Sequence, residues 1–354
     1  MRWAALFCAQ TEGEKKRMLT FFSTPKPFAG HISVIQRNAI QSWQRLHPDV
    51  EVILFGADAG AAEICREFGL RHEPAVERKE DGTKSLRSIF GRAQEIARHS
   101  RLCYVNCDIV LTDDFLRALD AVSRWQEQFL MVGRRWDLDV TQPLDFSQPN
   151  WAEALVHRAH NEGFQRLYYN IDYFAFPRNF YREIPDLVIG RNWWDGWLVW
   201  RAATQGAPVV DVSELVCAVH QNHDYSYHPQ GIQGVWFGEG SLRNMKNAGG
   251  MRHLHTIEDA NYRLTVRGFE PNRFYWLAPV KRTVREVAAT IRRFFRLCFW
   301  HPFLDLTRPA RSALGLRSNV PPQFISKSEK ERLHPFDRSW TPKIQWQRKK
   351  DDHS

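Results

Sequence analysis

Through residue 134 the sequence alternates short apolar runs with longer stretches in which apolar positions recur every three or four residues. Residues 18–23 form a β-type run ended by Thr24-Pro25-Lys26-Pro27. Over 31–46, Ile32, Ile35, Ala39, Ile40 and Trp43 keep helical spacing, and 50–55 is again an apolar strand, closed by Gly56. The same alternation predicts a helix over 59–68, a short strand over 70–73, a helix over 84–99 and a strand over 101–105. Repeated strand, helix, strand units predict an α/β domain with an open, mostly parallel central sheet covered by helices on both faces. Ligands of such sheets bind at the carboxyl ends of the strands, which selects the loops 24–28, 56–59 and 106–108.

The third loop carries the chemistry. Leu102-Cys103-Tyr104-Val105 is apolar, after which the chain presents Asn106, Cys107 and Asp108 and resumes with Ile109-Val110-Leu111. Two oxygen-bearing side chains one residue apart on an extended backbone face the same side and can share a hard cation such as Mn²⁺ or Mg²⁺. Asn and Asp are also common turn formers, so a plain turn accounts for the pair equally well. Further along, His220 follows the strand-like stretch 215–219, with His223 close behind; imidazole can ligate Mn²⁺ or donate to phosphate. Asp195 lies among Trp193, Trp194 and Trp197, just before a helix-like stretch over 197–203. Aromatic neighbours desolvate a carboxylate and suit it to accepting a proton, whereas helix capping is the plain alternative.

Composition narrows the class. Of 354 residues, 43% are hydrophobic and 25% charged, which excludes wholesale disorder, collagen-like repetition and a multi-span membrane protein. Cys8, Cys65, Cys103, Cys107, Cys217 and Cys298 include no CxxC pair, which points to a reduced compartment. The apolar stretch 3–9 is followed by Gln10, Glu12 and Glu14 without a small-residue cleavage site, against a secretory signal. No GxGxxG, GxxxxGK[ST] or GxSxG motif is present, against a Rossmann dehydrogenase, a P-loop NTPase and a serine hydrolase.

The formal charge of +9 is concentrated. Residues 273–318 hold ten basic and two acidic side chains, +8 in all, leaving +1 for the rest of the chain. That distribution describes a nearly neutral body with a basic appendage, not a specific nucleic-acid binder. Within the appendage, 283–300 places Val284, Val287, Ala288, Ile291, Phe294, Phe295 and Cys298 at helical spacing, with Arg285, Arg292, Arg293 and Arg296 largely elsewhere on the wheel. Such a helix suits an anionic membrane surface, or docks its apolar face on the body. The organisation expected is a lead-in over 1–17, a catalytic domain over 18–270, a basic helical extension over 271–318 and a polar, loosely ordered tail over 319–354.

The stretch from Leu102 to Leu111 resembles the metal-binding DxD strand and loop of GT-A fold glycosyltransferases (the nucleotide-diphospho-sugar transferase superfamily), here in an NxD form. Tyr169 to Pro177, Ile189 to Leu198 and Val219 to Ser226 follow in the order and spacing of that group, so the resemblance covers roughly 18–265. It implies a nucleotide-sugar donor across the early strands, a divalent cation joining the diphosphate to Asp108, with Asn106 and His220 as further ligands, and transfer of the sugar to a glycan or lipid-linked acceptor. Replacing the usual first Asp by Asn106 removes a negative charge, which weakens metal affinity or turns the residue toward ribose or water. The resemblance further implies Asp195 as general base if configuration is inverted, or as an orienting group if it is retained. Asp172, Trp194 and His223 are expected to face the sugar or acceptor, with a strand-end turn as the plain alternative for Asp172 and a core position as that for Trp194. Thr24, Lys26 and Asp58 read the base and ribose, and Arg87 reaches the diphosphate. The activity expected is a metal-dependent, hexosyltransferase-type transfer in cell-surface or envelope glycan synthesis, carried out in the cytoplasm or peripherally at the inner face of the membrane. A sugar nucleotidyltransferase and a catalytically silent carbohydrate- or membrane-binding protein of the same fold are the alternatives.

Overall fold

Apolar residues on both faces of its strands mark a central sheet buried on both sides, and a computed structural model of the chain has that architecture. The structure describes residues 18–223 and 231–273, together with 275–277, 280, 283, 284 and 287. The chain divides into two units, Met1–Thr283 and Val284–Ser354, and every strand and helix named here belongs to the first. The lead-in, the polar tail and nearly all of the predicted basic helix over 283–300 lie outside the described residues.

The first half follows the predicted alternation closely. Strand β1 (Leu19–Ser23), helix α1 (Gly30–Arg45), β2 (Glu51–Phe55), α2 (Ala61–Phe68), β3 (Arg71–Glu73), α3 (Leu86–Ile96) and β4 (Arg101–Val105) appear in that order. They are followed by β5 (Ile109–Val110), α4 (Asp113–Trp125), β6 (Leu130–Val132), β7 (Arg135–Leu138), α5 (Trp151–Glu162), β8 (Phe164–Gln165) and β9 (Tyr173–Pro177). Then come α6 (Trp194–Thr204), β10 (Val209–Asp211), β11 (Ala218–Gln221), α7 (Gly231–Phe237), α8 (Glu239–Asn247), β12 (Tyr262–Thr265) and β13 (Gly268–Pro271). Helix α3 starts two residues later than predicted, because Lys84 and Ser85 form isolated bridges to Arg78 and Val188 before the Ser85 hydroxyl caps the first turn.

Nine strands form the central sheet in the order β13-β12-β10-β6-β9-β4-β1-β2-β3. It is mostly parallel, with β9 antiparallel to both β4 and β6, and β13 antiparallel to β12. Period-two alternation sorts its side chains into two cores. Phe22, Leu102, Tyr104, Phe174 and Phe176 meet α3 and α6 on one face, while Leu19, Phe21, Cys103, Val105, Tyr173 and Ala175 meet α1, α2 and α4 on the other.

A second sheet, β5-β11-β7-β8, was not expected from the sequence, because its strands are short and interrupted. The predicted strand over 215–219 shifts to Ala218–Gln221: Leu215 and Val216 instead turn back, both giving their N–H to the Val212 carbonyl. His220 is therefore inside a strand, parallel to β7 with Asp137 as its partner and antiparallel to β5 with Ile109 as its partner. Register alone thus brings the region around Asp108, Asp137 and His220 together.

Candidate active site

Three pieces of chain end at one place. β1 and β4 are parallel neighbours, so the loop carrying Lys26 and the turn carrying Asp108 emerge at the same edge. β9 runs against β4, with Tyr173 opposite Val105, so Asp172 arrives beside Asn106. The second sheet delivers Asp137 and His220, and His223 follows two residues after β11.

Asp108 is the centre. Its Oδ2 lies 3.1 Å from His223 Nε2, 3.7 Å from Lys26 Nζ and 4.0 Å from His220 Nε2. Its Oδ1 is buried and has no hydrogen-bond partner among the described residues. Burial alone would push this carboxyl up, but the His223 contact and the neighbouring His220 and Lys26 outweigh it and hold the group well below the ordinary carboxylate range. Asp108, His220 and His223 each offer a ligand atom within 4.8 Å of the others. One carboxylate and two imidazoles form a mixed oxygen and nitrogen donor set that a first-row divalent cation accepts, and the unpartnered Oδ1 is a buried acceptor that such an ion would satisfy. The residues present therefore fit a Mn²⁺-type ion, and His223 stands nearer to Asp108 than the expected ligand His220 does.

A buried ionic network backs this cluster. Arg135 gives Nε to Asp137 Oδ1 at 2.8 Å and Nη1 to Asp172 Oδ2 at 2.8 Å, and Arg166 Nε reaches Asp137 Oδ2 at 2.5 Å. His220 turns Nδ1 toward Asp137 Oδ1 at 3.3 Å. Burial raises the proton affinity of Asp137, but Arg135, His220 and Arg166 overcome it and keep the carboxyl well below its usual range. Arg135, Asp137 and Arg166 were missed in the sequence. Their one signal is Arg135-Trp136-Asp137, two opposite charges alternating on a strand, so that both face one side.

Asn106 donates its side-chain amide to Asp172 Oδ1 at 2.6 Å, so the structure commits that N–H to a carboxylate. Asp195 lies in the first turn of α6, after Trp193 in the left-handed region at φ +87°. Burial raises its pKa to about 6, the nearby Asp172 adding to the effect and the backbone N–H groups of Trp193, Asp195 and Gly196 opposing it.

The remaining expected residues divide between this edge and elsewhere. Lys26 is half-buried at the Asp108 cluster; burial lowers its proton affinity against the pull of Asp108. Thr24 Oγ1 lies 3.4 Å from the Tyr104 hydroxyl. Asp58 Oδ2 is 2.6 Å from Lys84 Nζ, which also donates to the Pro25 carbonyl at 2.9 Å, and 3.3 Å from Arg78 Nη2. Lys84, unremarked in the sequence, thereby ties the loop after β1 to the loop after β2. Trp194 is 6% exposed and packs edge-on against Tyr104 at 5.2 Å, a core position. Arg87 is exposed on α3 with Nε on the Ile184 carbonyl at 2.7 Å, and the structure does not bring it to the cluster.

No protein-family model and no curated protein matches the sequence. Among solved structures, the chain is similar to S. aureus TarS 1-349, at 8% identity over 58% of this chain and 60% of that one, with a TM-score of 0.40. That likeness spans less than two thirds of the TarS fragment. It is also similar to glucosyl-3-phosphoglycerate synthase from Mycobacterium tuberculosis, whose structure holds Mn²⁺, uridine diphosphate and phosphoglyceric acid. There the identity is 12% over 68% of this chain and 84% of that one, with a TM-score of 0.40.

Proposed function

We propose that the chain is a glycosyltransferase that moves a sugar from a nucleoside diphosphate donor to an acceptor hydroxyl. The observation that carries this reading is the convergence of Asp108, His220 and His223 within 4.8 Å at the carboxyl-end edge of a mostly parallel sheet. Asp108, His220 and His223 would hold a Mn²⁺ or Mg²⁺ ion, which when bound neutralises charge on the departing diphosphate.

The other roles fall to side chains around that edge. Lys26 adds positive charge beside Asp108, where a diphosphate would gather negative charge. Asp172 is held through both oxygens by Asn106 and Arg135, and each oxygen keeps a lone pair for a donor-sugar hydroxyl. Asp195, with a pKa of about 6, takes the proton of the acceptor hydroxyl if the reaction inverts configuration, or orients the acceptor if it retains it. Thr24 and Asp58 face the nucleoside. The catalytic unit spans 18–270, the acceptor is a glycan or a lipid-linked glycan, and 283–300 supplies contact with an anionic membrane surface. Among the described residues no helix is long and apolar enough to cross a membrane.

The silent-protein alternative drew its support from Asn106 in place of Asp. The bond from Asn106 to Asp172 gives that amide a structural role of its own, which supports the active reading over the silent one.

The test is calorimetric titration with UDP-, GDP-, ADP-, CMP- and dTDP-sugars, with and without Mn²⁺, on the wild-type protein and Asp108→Ala. Mn²⁺-dependent binding of one donor, lost in the variant, is expected. Absence of binding across the whole panel would overturn the reading.

A further inference from the structure

Lys26 was expected to read the nucleoside, yet its ammonium stands among the three groups suited to a cation. Nζ is 3.0 Å from His223 Nε2 and 3.7 Å from Asp108 Oδ2. Its backbone is fixed on both sides. The Gln36 side chain accepts the Lys26 N–H at 2.6 Å and donates to the Lys26 carbonyl at 2.9 Å, and Gln36 is itself 2% exposed on α1. A lysine clamped in this way emerges from a defined point, and its position at the cluster is built into the fold.

His223 Nε2 contacts both Asp108 Oδ2 and Lys26 Nζ. A ring nitrogen offers one lone pair, which cannot serve the ammonium and a cation at once. A ligated cation needs that same unprotonated lone pair and the same carboxylate oxygens. An ammonium this close also repels a second positive charge, strongly so in a partly dry site.

We propose that the Lys26 ammonium and a divalent cation exclude one another at Asp108, His220 and His223, so that the cation enters with the anionic donor and not ahead of it. This rests on reading the cluster as a cation site. The lysine acts as an internal substitute cation in the resting protein. An arriving diphosphate gives the ammonium an alternative partner of opposite charge, and Asp108 and His223 are then released to ligate. The physical content is competition for one lone pair and one carboxylate, with Gln36 setting where the competitor stands.

The test uses Mn²⁺ alone, titrated into the full chain without nucleotide and followed by calorimetry and by the loss of the free-ion paramagnetic resonance signal. Lys26→Met removes the charge and keeps the aliphatic stem, while Lys26→Arg keeps the charge and checks the fold. Lys26→Met is expected to bind Mn²⁺ about tenfold or more tightly than the wild type, as relief of like-charge repulsion at a few ångströms implies. Lys26→Arg is expected to gain nothing, and adding Asp108→Asn to Lys26→Met to abolish the gain. Equal Mn²⁺ affinity in the wild type and Lys26→Met, lost in both on adding Asp108→Asn, overturns the exclusion and leaves the cation site standing. No Mn²⁺ binding in the wild type or Lys26→Met overturns both.

Discussion

Asn106 and Asp172 are joined twice, by the Asn106 backbone N–H on the Asp172 carbonyl at 2.8 Å and by its side-chain amide on Oδ1 at 2.6 Å. The second oxygen of Asp172 is held by Arg135 at 2.8 Å. Position 106 thus faces a buried carboxylate, and an amide can donate there where a second carboxylate could not. Asn106→Asp replaces a hydrogen bond with like-charge repulsion and is expected to lower stability by about 1–3 kcal/mol. Urea unfolding at neutral pH measures it. An unchanged midpoint at neutral pH would show that the amide does not hold Asp172.

Asp137 touches both the ionic network and His220. It accepts from Arg135 and Arg166, and it stands 3.3 Å from His220 Nδ1, on the side of the ring away from Asp108. Asp137→Asn removes a charge that helps compensate the buried Arg135 and the half-buried Arg166, and a loss of roughly 3 kcal/mol in stability is expected. Carboxylates that orient a ligating imidazole also govern ion affinity, so Mn²⁺ binding of the folded variant should fall by about tenfold to a hundredfold. The two effects separate when binding is measured well below the unfolding midpoint. A variant that loses stability with ion affinity intact would assign Asp137 to the scaffold alone.

How much of this was legible in the sequence depends on where the information lies. β1, β2 and β4 are buried on both faces and read as unbroken apolar runs, so they were found to within a residue. Asp108 was legible because a polar turn interrupts such a run. The second sheet was not: β5 and β8 have two residues each, too short for a period to show. His220 was placed after a strand, and its strand position became visible only through pairing with Asp137 and Ile109. Lys26 was assigned to the nucleoside because its loop was known and its side-chain direction was not; that direction depends on Gln36, ten residues away. Trp194 sat beside Asp195 in sequence, and helical geometry sends the two side chains to different surroundings: Trp194 to Tyr104 and Phe174, Asp195 to the edge near Asp172.

Gly56 closes β2 with φ +109°, a backbone conformation that side-chain-bearing residues rarely adopt, and a Cβ there would stand 2.7 Å from Asp58 Oδ2 and 3.1 Å from Lys84 Nζ. Gly56→Ala therefore meets strain in the backbone and a clash with the ion pair that joins the first two loops. A cost of about 1–3 kcal/mol is expected, read as a lower thermal midpoint. If the two loops read the nucleoside as proposed, donor affinity should fall as well. Retention of full stability would mean that Asp58 and Lys84 move aside freely.

Asp195 gives opposite pH signatures for stability and for activity. Its pKa is raised from 3.8 to about 6 in the folded protein, chiefly by burial. The folded state thus holds the proton more tightly than the unfolded chain, and the stability linked to that proton is complete below the unfolded value and lost as pH rises through about 6. If Asp195 is the general base proposed for an inverting transfer, catalysis needs the other form. As a general base Asp195 works ionised, so the rate should climb with pH through the same interval in which this contribution to stability declines. Asp195→Asn removes the titrating group and is expected to flatten the stability difference between about pH 4 and pH 8 while abolishing the rising limb of the rate profile. Unfolding midpoints and initial rates, taken on both proteins across that range, check the two halves separately. A rate limb that persists in Asp195→Asn would assign the proton transfer to another group. A limb that vanishes while the stability difference stays flat in both proteins would mean that the carboxyl ionises at its ordinary pKa and that its chemistry owes nothing to burial.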